Sequence, residues 1–160
     1  MPNLEKLIER LVQQSVDFVI VGGYAAMVHG APYVTYDVDV CSPLTTVNLK
    51  RIYAAVEDLH SYHRMTPQQL PFVFSEGLER DLKNLYLATD LGQIDFLGSL
   101  PEVADYESVS ASSIKMSLPF GECRILDLPT LIRSKEIVGR AKDLLVTAQL
   151  RAILDASQSS

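Results

Sequence analysis

Two aspartates one residue apart, Asp37 and Asp39, lie among valines in the run Asp37-Val38-Asp39-Val40. Side chains alternate along an extended strand, so both carboxylates project from one face, about 6–7 Å apart. Two like charges so placed repel unless a cation neutralises them, and Mg²⁺ or Mn²⁺ takes carboxylate oxygens while keeping positions for phosphate. Upstream stands Val21-Gly22-Gly23. A glycine backbone approaches phosphate oxygens with no Cβ in the way, and a helix opening there would add unpaired N–H groups. A third carboxylate, Asp95, interrupts the apolar run Ile94-Asp95-Phe96-Leu97. Buried alone it is unfavourable, and a neighbouring strand about 4.8 Å away would place it beside Asp37 and Asp39. Carboxylates for a divalent ion and glycines for phosphate together suit a nucleoside triphosphate. Solvated carboxylates on an open strand face remain the alternative for the acidic pair, and an edge strand the alternative for Asp95.

The elements that must position these residues follow from periodicity. Leu4, Leu7, Ile8 and Leu11 recur at helical spacing, which predicts an amphipathic helix over about 3–15. Phe18-Val19-Ile20-Val21 reads as a buried strand that hands over at the glycines to a short helix from Tyr24 to His29. Strict alternation from Val34 to Val40 predicts a strand with Val34, Tyr36, Val38 and Val40 on one face and Thr35, Asp37 and Asp39 on the other. Leu49, Ile52, Tyr53, Val56 and Leu59 mark a helix capped by Thr45 or Thr46, and His60 to Gln69 has no period and reads as a loop.

Further along, Phe72-Val73-Phe74 is expected to be a short strand. Two hairpins are predicted, one pairing Leu85–Thr89 with Gln93–Leu97 and one pairing Ser113–Leu118 with Glu122–Leu126. Asp127 can cap a helix that tolerates Pro129 in its first turn and stops at Gly139, and a last helix runs from Arg140 to Ala156. The pattern is that of one α/β (α+β) domain over residues 1–156, a mixed β-sheet with flanking helices, followed by a polar tail at 157–160.

Composition narrows the class. The chain has 160 residues, about half apolar, enough for one sizeable core. A net charge of -6 argues against non-specific nucleic-acid binding, which draws on many phosphate contacts from Lys and Arg. Cys41 and Cys123 stand far apart with no zinc-type spacing to each other or to His29, His60 and His63, so two reduced thiols are expected. No apolar run approaches the ~20 residues of a membrane span, and the N-terminus lacks a secretory pattern, so a cytoplasmic protein with no membrane association is expected. The glycines form neither a P-loop nor a dinucleotide fingerprint.

The order Val21-Gly22-Gly23, a spacer from Tyr24 to Tyr36, then Asp37-Val38-Asp39-Val40 resembles the nucleotidyltransferase superfamily. Within it the chain looks most like the AbiEii-type and minimal nucleotidyltransferases of prokaryotes. Thr35 stands two positions before Asp37, Lys135 lies on a helix after the sheet, and Arg140-Ala141-Lys142-Asp143 resembles the R-x-K-D stretch beyond it. Tyr33-Val34 stands where many relatives carry a basic residue, and Gly23 where others have Ser.

The resemblance implies that Asp37, Asp39 and Asp95 hold Mg²⁺ (or Mn²⁺), with Asp95 also serving as base on an acceptor hydroxyl. It implies that Gly22, Gly23, Thr35, Lys135, Arg140 and Lys142 attend the NTP. Transfer of NMP from NTP, ATP included, to a tRNA, a protein side chain as in toxin–antitoxin systems, or a small molecule would follow. A homodimer or a cognate toxin or antitoxin partner would complete the cleft. The alternative is a non-catalytic nucleotide-binding or antitoxin-like module acting through a partner protein.

Overall fold

The computed structural model describes residues 2–32, 34–100 and 104–159. It begins with α1 (Leu4–Gln13), where Leu4, Leu7, Ile8 and Leu11 are buried and the Asn3 side chain accepts a hydrogen bond from the Lys6 backbone N–H at 3.1 Å. β1 (Val19–Val21) is buried at all three positions, which requires cover on both faces of the sheet. It runs directly into α2 (Gly22–Val28), so the glycines form the first turn of the helix rather than a linker before it.

β2 (Asp37–Cys41) is shorter than the alternation predicted. Val38 and Val40 are fully buried, whereas Val34 and Tyr36 precede the strand and are exposed, Tyr36 by 70%. The apolar alternation at 34 and 36 therefore has no core to face. α3 (Thr46–Val56) opens on Thr45, whose hydroxyl accepts from the Asn48 N–H at 3.3 Å.

The stretch read as a loop contains β3 (Tyr62–His63), which pairs antiparallel with β4 (Asn84–Thr89). Conversely, Phe72–Phe74 is not a strand. Pro71 makes one isolated bridge to Tyr62, and Phe72 is buried edge-on against the rings of Tyr53 and His63, each 5.7 Å away. Side-chain packing, not a ladder, explains the apolar run there. A 3₁₀ turn (Leu78–Asp81) leads into β4, which forms the expected hairpin with β5 (Gly92–Leu97).

Three elements lie where no periodicity stood out: β6 (Ser99–Leu100), β7 (Ala104–Asp105) and α4 (Tyr106–Ala111), the last capped by Asp105 through the Ser108 N–H at 3.0 Å. β8 (Ser113–Leu118) and β9 (Gly121–Leu126) make the second expected hairpin. α5 (Leu128–Val138) is capped by Asp127 and ends at Gly139 with φ +68°, a conformation glycine adopts without penalty. α6 (Ala141–Gln158) extends two residues beyond its expected end, so Ser157 and Gln158 belong to the helix rather than to a tail.

Seven strands form one mixed sheet in the order β3-β4-β5-β2-β1-β9-β8. β2 runs parallel to β5 and antiparallel to β1, and β1 runs parallel to β9. α1 packs on α3, while α2 packs on α5 and α5 on α6. The core runs from Leu7, Ile8 and Leu11 of α1 through Ile20, Ile94 and Phe96 of the sheet to Leu131 of α5. Among the described residues no helix is long and apolar enough to cross a membrane.

Candidate active site

One line of cross-strand register builds the site. Tyr86 of β4 opposes Asp95 of β5, Asp95 opposes Asp39 of β2, and Asp39 opposes Val21 of β1, the residue before Gly22. The lone acidic residue of β5 is thereby set directly beside the second residue of the acidic pair, on an adjacent parallel strand. Asp37, two positions earlier in β2, shares the face of Asp39. The Thr35 hydroxyl donates to the Asp37 carboxylate at 3.0 Å and also lies 3.2 Å from its carbonyl oxygen, so Thr35 orients Asp37.

The carboxylates open into a cavity of about 610 Å³. Gly22, Gly23, Thr35, Asp37, Asp39, Asp95, Lys135, Arg140, Lys142 and Asp143 all line it, together with Pro32, Arg64, Leu145, Val146 and Gln149. Every candidate from the sequence thus reaches one cleft between the carboxylate face of the sheet and the helices α2, α5 and α6. Its volume lies in the range of small-molecule sites. Another cavity, about 270 Å³ between Val12, Tyr106 and Arg124, lies away from these residues.

Burial first, then the charges of Asp37 and Asp95, raise the Asp39 carboxyl to about 6, with Lys135 and Arg64 pulling the other way. Burial also raises Asp95, opposed by the hydrogen bond and charge of Arg64. On the opposite wall the buried Lys135 ammonium lies 3.9 Å from Asp143, and Arg140 Nε donates to Asp143 at 2.6 Å. Burial lowers Lys135, with Asp143 and Asp39 opposing. Burial pushes Asp143 up, but Arg140 and Lys135 outweigh it and hold the carboxyl below its ordinary value. Arg140 and Asp143 therefore serve each other, and Lys142, like Arg140, is exposed on this wall.

Among the described residues no three His, Cys, Asp or Glu side chains close into a formed metal cage. Mg²⁺ does not need one, because it is commonly held by one or two carboxylates together with water and substrate phosphate. The donor chemistry fits such an ion. Asp37 and Asp39 offer hard oxygens on one face, and their mutual repulsion is what a cation would relieve.

No family model matches this sequence, and no curated protein matches it. Solved structures do. A candidate nucleotidyltransferase from Thermotoga maritima superposes with a TM-score of 0.56 over 96% of this chain and 91% of its own, at 17% sequence identity.

The fold is nucleotidyltransferase-like. Within that fold, Arg64 is a residue that sequence reasoning missed. It follows β3, and its backbone N–H donates to the Tyr86 carbonyl at 3.1 Å. From there the guanidinium passes over the Tyr86 ring, 5.6 Å from its centroid, and pairs with Asp95. Arg64 stands in a stretch without period, so only the need of a buried Asp95 for a cation pointed to it. At the two ends of the helix segment after the glycines, His29 Nε2 lies 2.8 Å from the Leu126 carbonyl, and Tyr24 is buried. Cys41 and Cys123 are buried and free.

Proposed function

We propose that this chain is a nucleotidyltransferase that moves a nucleoside monophosphate from an NTP to an acceptor hydroxyl. The observation that carries this reading is the register of Asp39 with Asp95, with Asp37 on the same face, across a cavity from Lys135 and Lys142. A wall of carboxylates facing a wall of cations suits a triphosphate whose charges are neutralised from both sides. Asp37 and Asp39, with Asp95 beside them, would hold Mg²⁺ or Mn²⁺, which when bound supplies charge neutralisation at the α-phosphate and at the departing pyrophosphate.

The chain's own groups account for the rest. Lys135 and Lys142 attract the β- and γ-phosphates as point charges. Gly22 and Gly23 leave a bare backbone beside them. Asp95 accepts the acceptor's proton as the acceptor oxygen bonds to the α-phosphorus and the bond to the bridging oxygen of pyrophosphate breaks. Its raised proton affinity suits that task. The placement of Thr35 and of Arg140 through Asp143 supports the AbiEii-type and minimal enzymes as the nearest kind. The acceptor is a tRNA, a protein or a small molecule, with the net charge of -6 weighing against RNA unless a partner or second copy supplies basic surface.

The test is incubation with each α-labelled NTP, Mg²⁺ and separate pools of tRNA, protein and small metabolites, reading which pool gains label. Asp39→Ala should abolish transfer. Label that persists in this variant overturns the mechanism.

One observation favours a second reading, a nucleotide-binding module that acts through a partner protein: Arg64 already neutralises Asp95, the expected base. NTP binding by calorimetry with no label in any pool would select this reading.

A further inference from the structure

Among the described residues three buried side-chain polar atoms lack a hydrogen-bond partner, and two of them, Arg64 Nε and Gln149 Oε1, belong to residues that line the cavity. Buried polar groups in folded proteins are nearly always paired, so two exceptions in one cleft point to a ligand that supplies the missing partners. Arg64 belongs with the carboxylates. Gln149 does not, and nothing in the phosphate and metal chemistry uses it.

Its position is specific. Lys142, Leu145, Val146 and Gln149 recur on α6 at intervals of three, one and three, which places them on one stripe facing the cavity. At 1.5 Å per residue, Gln149 lies about 10 Å farther along the helix than Lys142. Between them Leu145 is 64% exposed, an apolar side chain left at the cavity wall, with Pro32 also lining the cleft. From one end to the other the stripe offers a cation, an apolar surface and an amide whose oxygen is unpaired. A nucleotide presents the same order: phosphates, a flat ring face, and a ring edge with donors and acceptors.

We propose that Gln149 reads the edge of the nucleobase while Leu145 and Pro32 contact its face, and that the site prefers adenine or cytosine. In both bases an exocyclic amino group stands beside a ring nitrogen acceptor. The buried Oε1 accepts from the amino group, and the amide NH₂ of the same side chain donates to the ring nitrogen. Guanine and uracil present a carbonyl beside an N–H and would pair only with the amide turned over, which would bury its NH₂ where Oε1 now lies. This assignment rests on the nucleotide-site reading above and adds the base to it.

The test uses calorimetry in Mg²⁺ with the non-transferring α,β-methylene analogues of ATP, CTP, GTP and UTP, and with inorganic tripolyphosphate, on the wild type, Gln149→Leu and Gln149→Glu. The wild type is expected to bind the ATP and CTP analogues at least about tenfold more tightly than the other two, since a site built for a hydrogen bond rejects a ligand that cannot make it. In Gln149→Leu that preference should fall below about threefold while tripolyphosphate affinity is unchanged. Gln149→Glu, which has lost the amide donor, should also bind the ATP and CTP analogues more weakly. Four analogues bound equally by the wild type, or an intact preference in Gln149→Leu, overturns the assignment and leaves the phosphate site standing. If neither tripolyphosphate nor any analogue binds the wild type, the nucleotide site itself is wrong, and the base reading falls with it.

Discussion

A Cβ built on Gly22 would lie 2.6 Å from Oδ2 of Asp39 and 3.1 Å from its Cβ. The contact follows from topology: Val21 opposes Asp39 across β1 and β2, and the chain turns into α2 at the next residue with φ +61°. Gly22 is therefore required twice, by conformation and by the carboxylate above it. Its first duty is to make room for Asp39, and the bare backbone proposed to face phosphate follows from the same geometry.

Gly22→Ala should destabilise the protein by roughly 2–4 kcal/mol in urea unfolding, adding a left-handed backbone penalty to an overpacking penalty. Asp39→Ala removes the carboxylate, whose Oδ2 is the nearest clashing atom, but keeps the Cβ at 3.1 Å and the backbone penalty. The double variant should therefore be about 1–2 kcal/mol less destabilised than the sum of the two single changes, the size expected for contacting residues. Simple additivity would show that the two positions do not touch.

Asp39 also makes a pH prediction. Its folded carboxyl titrates near 6, above its ordinary 3.8, with burial the first cause and the neighbouring carboxylates the next. Between these values the folded state holds more protons than the unfolded, so stability should fall as pH rises from about 4 to about 6. Asp39→Asn, which mimics the protonated form, should be more stable than the wild type at pH 7.5 by up to about 3 kcal/mol, with the gain vanishing at pH 4. Millimolar Mg²⁺ should raise the wild-type melting temperature at pH 7.5 and leave that of Asp39→Asn nearly unchanged. Equal shifts in both would remove Asp39 from the proposed metal site.

The acidic pair was legible because alternation is enforced by strand geometry, and Asp95 because a carboxylate in an apolar run needs a partner. The hairpins, the caps at Thr45 and Asp127 and the stop at Gly139 follow equally local rules. What failed were inferences from apolar character alone. Val34 and Tyr36 alternate in step with Val38 yet face solvent, because the chain joins the sheet only at Asp37. β3 has two residues and no period of its own, and it exists because β4 offers it an edge. Arg64 and Gln149 were invisible for a related reason. A charged or amide residue outside a motif shows its purpose only once the sheet register or the helix stripe says what it faces.

Arg64 should act on the site through Asp95. Both side chains are largely withdrawn from solvent, 22% and 13% exposed, so Arg64→Met leaves a carboxylate without its cation and should cost about 3 kcal/mol. Losing that cation should also raise the Asp95 carboxyl further, since Arg64 is what opposes burial there. In the label-transfer assay the acid limb of the pH profile should move to higher pH in Arg64→Met, and Arg64→Lys should restore part of it. A loss of activity uniform across pH would mean that Arg64 is structural only.

Asp143 supplies the converse test on the opposite wall. Its side chain is 5% exposed and sits between the Arg140 guanidinium and the buried Lys135 ammonium, which together hold its carboxyl below the ordinary value. A depressed carboxyl stabilises the fold above its unfolded pKa and loses that contribution as pH falls through its folded value. Asp143→Asn should therefore be destabilised by about 3 kcal/mol at pH 7, most of it from depriving the buried Lys135 of its nearest counter-charge. The gap from the wild type should stay constant down to about pH 4 and narrow only below it. Lys135→Met combined with Asp143→Asn removes both charges and should recover more than half of the loss. If the double variant is instead as unstable as Asp143→Asn alone, Asp143 serves Arg140 and the start of α6 rather than Lys135, and the cation wall of the cleft does not depend on it.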